Sequence, residues 1–248
     1  MATDNVIVEA FTEMAPRYED AMNRELEQFW GVSYDAFIAR FLSALPIGEG
    51  DAVLDVATGT AQIPLALRGR VGAGGRVMGL DITPAMLSRG RERLTGDASG
   101  AMVQLVCGSA LDLPFADASY DVIVCALGTH HMDVPRMLAE MRRVLRPGGR
   151  LALADVGATP FWRSFAGRQL LRVLMARYGL SHDDARGRAE LEAFANVRTA
   201  EEWEALLRVT RFAEVEVATI RARRPWYPCG LTMRAVARDG PGPATRLV

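Results

Sequence analysis

Nine residues, Val53-Leu54-Asp55-Val56-Ala57-Thr58-Gly59-Thr60-Ala61, constrain the fold more than any other stretch of the chain. Val53 to Val56 is an apolar run broken by one acid, approached through Pro46, Gly48 and Gly50. Such a run reads as the buried first strand of a parallel sheet. Ala57 to Ala61 are small residues over which the backbone can turn sharply and come close to a ligand. From Gln62 to Leu67 the spacing is that of a helix starting under the turn, so backbone N–H groups point at whatever sits there. Open α/β sheets bind their ligands in that place, beyond the carboxyl end of the first strand.

A nicotinamide-binding loop needs Gly-x-Gly-x-x-Gly, and only Gly59 is present. Asp55, on the strand itself, suits a ligand carrying a positive group such as an ammonium better than a pyrophosphate. Asp81 ends the next apolar run, Arg76 to Asp81, at 22 positions beyond Gly59, where a carboxylate can accept both hydroxyls of a ribose. Together these features resemble the class I S-adenosylmethionine (SAM) dependent methyltransferases, whose first motif runs acid-x-Gly-x-Gly-x-Gly. Ala57 and Ala61 stand at two of the glycine positions. Leu145-Arg146-Pro147-Gly148-Gly149, a turn before another apolar run, is a specific mark of the same family.

Within that family the chain looks most like the ubiquinone/menaquinone C-methyltransferases. Phe11, Ala15, Tyr18 and Met22-Asn23 follow their opening with one extra residue, and Asp155 stands where their second signature has a glutamate. The resemblance implies SAM as cofactor, S-adenosylhomocysteine as product, and cofactor contacts at Asp55, the loop Ala57-Thr58-Gly59, Asp81 and the strand end at Ala126. Ile82 would lie on the adenine face, Tyr18 would reach the cofactor carboxylate, and Ser109 and the N–H of Ala110 would meet the adenine edge. Ser109 replaces the family's aspartate, so its hydroxyl would accept without charge assistance. Asp112 is an alternative acceptor.

Two of the three histidines, His130 and His131, fall just past the predicted fourth strand, Tyr120 to Ala126, on the rim of the crevice. An imidazole titrates near neutral pH, so either ring suits a general base; His130 is the first candidate and His131 the second. Packing of the loop is the plainer role for the pair.

The expected architecture is a doubly wound, Rossmann-like α/β fold with a seven-stranded, mostly parallel sheet and an antiparallel last strand. It forms one methyltransferase domain: a helical cap over 1–45, a SAM-binding core over 46–158, a substrate lid over 159–198, a helix and strand pair over 199–238, and a flexible tail over 239–248. Phe161 to Tyr178 reads as one lid helix and Ser181 to Phe194 as another. The implied reaction is methyl transfer to a small-molecule acceptor, aromatic, quinol-like or a natural-product intermediate, at carbon or oxygen. N-methylation, or a cyclase that holds SAM without spending its methyl, shares every one of these motifs.

Composition narrows the partners. Net charge is −1, which points away from nucleic acid and from a membrane surface. Every basic residue is arginine, which excludes Schiff-base lysine chemistry and a P-loop lysine. The three cysteines are scattered, without metal-ligand spacing, so no metal site is expected and a reducing, cytoplasmic setting is. No apolar run approaches membrane-spanning length. The oligomeric state stays open, with a homodimer among the options.

Overall fold

The structure, a computed structural model, describes residues 4–95, 102–167, 169–170, 173, 189, 193 and 196–238. Its sheet has seven strands: β1 (Ala52–Val56), β2 (Arg76–Asp81), β3 (Met102–Cys107), β4 (Tyr120–Ala126), β5 (Leu145–Gly157), β6 (Phe212–Ile220) and β7 (Cys229–Ala237). They lie in the order β3-β2-β1-β4-β5-β7-β6. β1 pairs in parallel with both β2 and β4, so the order reverses between β1 and β4, where a ligand crevice is expected. β7 is antiparallel to both neighbours. It lies between β5 and β6, antiparallel as the sequence suggests. The short turn region between β6 and β7 allows only antiparallel pairing, whereas β5 to β6 is a long crossover.

Every residue of β1 is buried, including Asp55. This is the burial pattern of a central parallel strand covered by helices on both faces. One face packs on α6 (Val134–Val144) and α8 (Ala200–Val209) through Leu54, Ile123, Met137, Met141, Trp203 and Leu207. Phe37, Ile38, Phe41 and Leu42 of α3 (Tyr34–Ser43) cover the other face, with Ile63 and Leu67 of α4 (Gln62–Leu67). A helix of the expected type starts at Thr199, whose hydroxyl accepts from Glu202 N while the Glu202 carboxylate accepts from Thr199 N.

Ahead of the sheet, α1 (Asp4–Met14) stops at a single 3-10 turn over Ala15–Arg17, and α2 (Tyr18–Trp30) resumes. Pro16 causes the break, as it removes a backbone donor. Met14, Ala15, Tyr18, Ala21 and Met22 pack on Met86 of α5 (Pro84–Leu94), seating this cap over the β1 and β2 ends. β5 begins earlier than the sequence suggests, at Leu145, and its ladder with β4 shifts register between Tyr120 and Val122 to absorb the Pro147-Gly148 turn. Of the expected lid, a short helix α7 (Pro160–Arg163) is seen, while Leu171, Leu174 to Tyr178, Ser181 to Arg188 and the tail 239–248 lie outside the described residues.

Candidate active site

A crevice opens at the carboxyl ends of β1, β2 and β4, with an empty volume of about 930 Å³ counted out to its mouth. Nine of the sequence-predicted site residues line it: Tyr18, Ala57, Gly59, Asp81, Ile82, Ser109, Ala110, Ala126 and His131. Asp55, Thr58 and His130 do not reach its wall, and neither does Asp112.

The floor is built by a carboxylate held in place by backbone. Asp81 Oδ2 accepts from Gly59 N at 2.8 Å and Oδ1 from Thr83 N at 2.8 Å, so the end of β2 grips the loop after β1. Burial pushes the Asp81 carboxyl above its usual range, against the pull of these N–H groups. Thr83 occupies the N-cap position of α5, with Pro84 next, but makes no side-chain cap to that helix. Its hydroxyl serves Asp81 instead.

The loop itself is bent to fit. Gly59 has φ of +54°, and Ala57 and Ala61 adopt the same left-handed region at +56° and +64°. Those are glycine positions in the family motif, so the alanines hold a conformation that disfavours any side chain. Leu127, at the matching end of β4, also lies at +58°. Next to it, a Cβ on Gly128 would meet the Ala57 Cβ at 3.0 Å, so the two strand-end loops touch across the switch point.

Behind the loop, Asp55 is 1% exposed. Thr58 Oγ1 donates to Asp55 Oδ2 at 2.6 Å, while Oδ1 is buried with no hydrogen-bond partner. Burial raises this carboxyl to about 8; the Thr58 hydrogen bond opposes the rise, and the nearby Asp81 charge adds to it. An orphaned carboxyl oxygen in this position fits a ligand that brings a cation. Ser109 Oγ accepts from Leu111 N at 3.2 Å, which orients the hydroxyl on the wall beside Ala110.

Opposite the floor, a 3-10 turn over Thr129–His131 carries the two histidines. The His131 ring lies on the crevice wall, edge-on to Phe11 of the cap at 5.3 Å and 4.2 Å from the His130 ring. His130 sits behind it, with Nδ1 at 2.6 Å from Asp155 Oδ1. Asp155 also accepts from Val156 N, His130 N and the Thr129 hydroxyl, so its carboxylate pins the entire turn. Burial would raise this carboxyl, but the His130 charge and hydrogen bond, with those of Thr129 and Val156, outweigh it and hold it low. With Asp155 ionised, His130 Nδ1 is the donor of this contact, and the carboxylate favours the protonated ring.

Sequence reasoning noted Asp155 as a departure from a family motif and missed its role in the site. A signal was available: a lone acid inside an apolar strand needs a buried partner, and a histidine pair is one. Phe11 and Met132, both on the wall, were likewise absent from the expected site.

Residues 54–153 match the methyltransferase domain family. This stretch of the chain, from β1 into β5, is thus similar to methyltransferase domains. The chain is also similar to the demethylmenaquinone methyltransferase of Symbiobacterium thermophilum, 32% identical across 64% of this chain and 62% of that protein. The ubiquinone/menaquinone biosynthesis C-methyltransferase UbiE of Geotalea daltonii is 32% identical across 62% of this chain and 65% of its own length. The chain thus spans a little under two thirds of the length of these curated relatives. Two solved structures share the fold: a putative methyltransferase from Haloferax volcanii in complex with its Trm112 activator, TM-score 0.64 at 20% identity, covering 93% of this chain and 99% of that one; and a SAM-dependent methyltransferase from Aquifex aeolicus, TM-score 0.60 at 19% identity, covering 91% and 98%. Among the described residues no helix is long and apolar enough to cross a membrane.

Proposed function

We propose that the protein transfers the methyl group of SAM to a small aromatic, quinol-like or natural-product acceptor, at carbon or oxygen. The observation that carries this reading is the crevice itself. One side presents a carboxylate locked by two loop N–H groups, and the other presents an imidazole with an aromatic edge. Asp81 takes the ribose hydroxyls, Ile82 and Ala110 flank the base with the Ser109 hydroxyl at its edge, and Tyr18 and the Ala57-Gly59 loop hold the amino-acid end. Asp55 stands behind that loop as a largely protonated carboxyl, which a bound ammonium group would draw towards its ionised form.

When bound, SAM supplies an already activated methyl group, so the protein's tasks are alignment, exclusion of water and any proton removal. Alignment alone can supply about 7–11 kcal/mol. His131, on the wall, is the ring within reach of an acceptor; His130, held by Asp155, lies behind it and favours positive charge on the pair. A base so placed adds about 10²–10⁴-fold when the acceptor must lose a proton. The similarity to demethylmenaquinone and ubiquinone C-methyltransferases favours a quinol-like ring.

Calorimetric titration with SAM tests the cofactor half. Asp81→Ala is expected to weaken binding at least about tenfold, since a charged acceptor of two hydroxyls is lost. Equal affinity in wild type and variant, or saturable binding of a dinucleotide in place of SAM, refutes the reading.

A further inference from the structure

A second pocket opens at the β6–β7 end of the sheet, with about 1140 Å³ of empty space counted to its mouth. The loop from β6 to β7 lines it with Arg221, Arg223 and Arg224, three guanidinium groups within four residues. None of the three forms an ion pair among the described residues, whereas Arg93, Arg143 and Arg150 each pair with an acid. All three are exposed and line one pocket, so their positive charge faces the same space and favours an anion there.

Two of the three exposed arginines, Arg223 and Arg224, are seated, while Arg221 extends freely into the pocket mouth. Arg223 N donates to Phe29 O at 2.8 Å, and its guanidinium donates to Glu27 O at 3.1 Å, which ties the loop to α2. Arg224 lies over the rings of Trp226 and Tyr227, at 5.6 and 5.7 Å from their centroids. A stacked guanidinium keeps its edge N–H groups available in a fixed plane. Thr159 also lines the pocket, and its Oγ1 is buried and makes no hydrogen bond. A buried hydroxyl without a partner is uncommon and marks a place where a polar group is missing. Thr159 follows the end of β5 and Thr219 precedes the end of β6, so this pocket shares the carboxyl rim of the sheet with the crevice but lies beyond β5.

We infer that this pocket is a binding site for the oxyanion of a small molecule, a phosphate or a carboxylate, held by Arg221 and Arg224, with the Thr159 hydroxyl as a further donor once its side chain turns outward. Arginine forks match both groups in two-pronged geometry, and a chain without lysine has no other cation to offer. The site is independent of the proposed methyl transfer, because the titration that reads it needs neither SAM nor acceptor.

Inorganic phosphate and acetate, titrated separately by calorimetry at low ionic strength, distinguish the two oxyanions. Saturable binding of either is expected, weakened about tenfold by Arg221→Gln or Arg224→Gln, as for loss of one charged hydrogen-bonding group. Arg221→Lys should recover only part of the affinity, since it restores charge without the fork. SAM affinity should be unchanged in all three variants. If Arg224→Gln lowers the melting midpoint through lost ring stacking, Arg221→Gln decides, as its side chain makes no hydrogen bond or ring contact among the described residues. Absence of saturable binding by both ions, or equal binding in wild type and Arg221→Gln, overturns the inference.

Discussion

Asp55 on β1 and Asp155 on β5 flank β4 from either side, each 1% exposed, and they are held in opposite charge states. Burial raises Asp55 to about 8, while Asp155 is held below the ordinary carboxylate range. Depth therefore does not decide the difference. Partners do: Asp55 has one donor, Thr58, whereas Asp155 has the His130 ring, the Thr129 hydroxyl and the N–H groups of His130 and Val156. The same fold thus keeps one carboxyl under-satisfied beside the cofactor crevice and another saturated behind the histidines. Buried carboxylates are normally saturated, so an unsatisfied one beside a crevice is a candidate for a ligand contact.

The largest expected effect comes from removing the saturated member. Asp155→Ala leaves the Thr129 hydroxyl, two backbone N–H groups and a cationic ring without an acceptor. Breaking a buried pair this way costs about 3–5 kcal/mol, read from the denaturant midpoint. A cost below about 1 kcal/mol would show that the 129–131 turn does not depend on this carboxylate. In methyl transfer, His131→Ala is expected to lower turnover by about tenfold or more, with SAM affinity retained, and by more than His130→Ala. The opposite ranking would return the base to His130.

Next in size is Asp55→Asn, read through pH. A carboxyl whose folded value lies above its unfolded value of 3.8 stabilises the fold fully below that value, and the contribution disappears as pH rises towards about 8. The ligand-free protein should lose stability between about pH 4 and 8 from this group, and Asp55→Asn should flatten that slope. Asp155 acts with the opposite sign: its contribution is present above the unfolded value and is lost as pH falls below it. SAM affinity should rise with pH up to about 8 as Asp55 ionises against the bound ammonium, and the asparagine variant should not show that rise. Parallel pH profiles for the two proteins would separate Asp55 from cofactor binding.

Local patterning made one half of this comparison readable in the sequence and hid the other. β1, β2 and β4 are continuous apolar runs with a change of composition at each end, so Asp81 and the Ala57-Gly59 loop could be placed before any coordinates. The histidine half depends on which residues of β5 and of the β4 loop meet in space. The 26-position separation of Thr129 from Asp155 carries no periodic signal. Which of His130 and His131 faces the crevice was hidden too, because adjacent residues in a 3-10 turn point in different directions and no sequence pattern says which. The place of β7 between β5 and β6 was equally hidden, since strand order is a long-range property.

The smallest effect tests whether the cofactor loop carries stored strain. Ala61 lies at φ of +64°, fully buried, ahead of α4. A left-handed alanine costs about 1–2 kcal/mol. Glycine would remove that cost, but it would give up one buried methyl, about 0.8 kcal/mol, and add about 0.5–1 kcal/mol of unfolded-chain entropy. These nearly cancel, so Ala61→Gly is expected within about 1 kcal/mol of wild type in denaturant unfolding, with SAM affinity unchanged. Ala61→Val should instead lose more than about 2 kcal/mol, because a branched side chain cannot hold this φ and would press on Gly90, where even a Cβ would sit 3.1 Å from the Ala61 Cβ. A large loss in the glycine variant would mean that the alanine methyl, packed at the root of the loop, outweighs the strain. The two alanines would then be positions where the chain keeps a side chain for packing against a backbone that favours none.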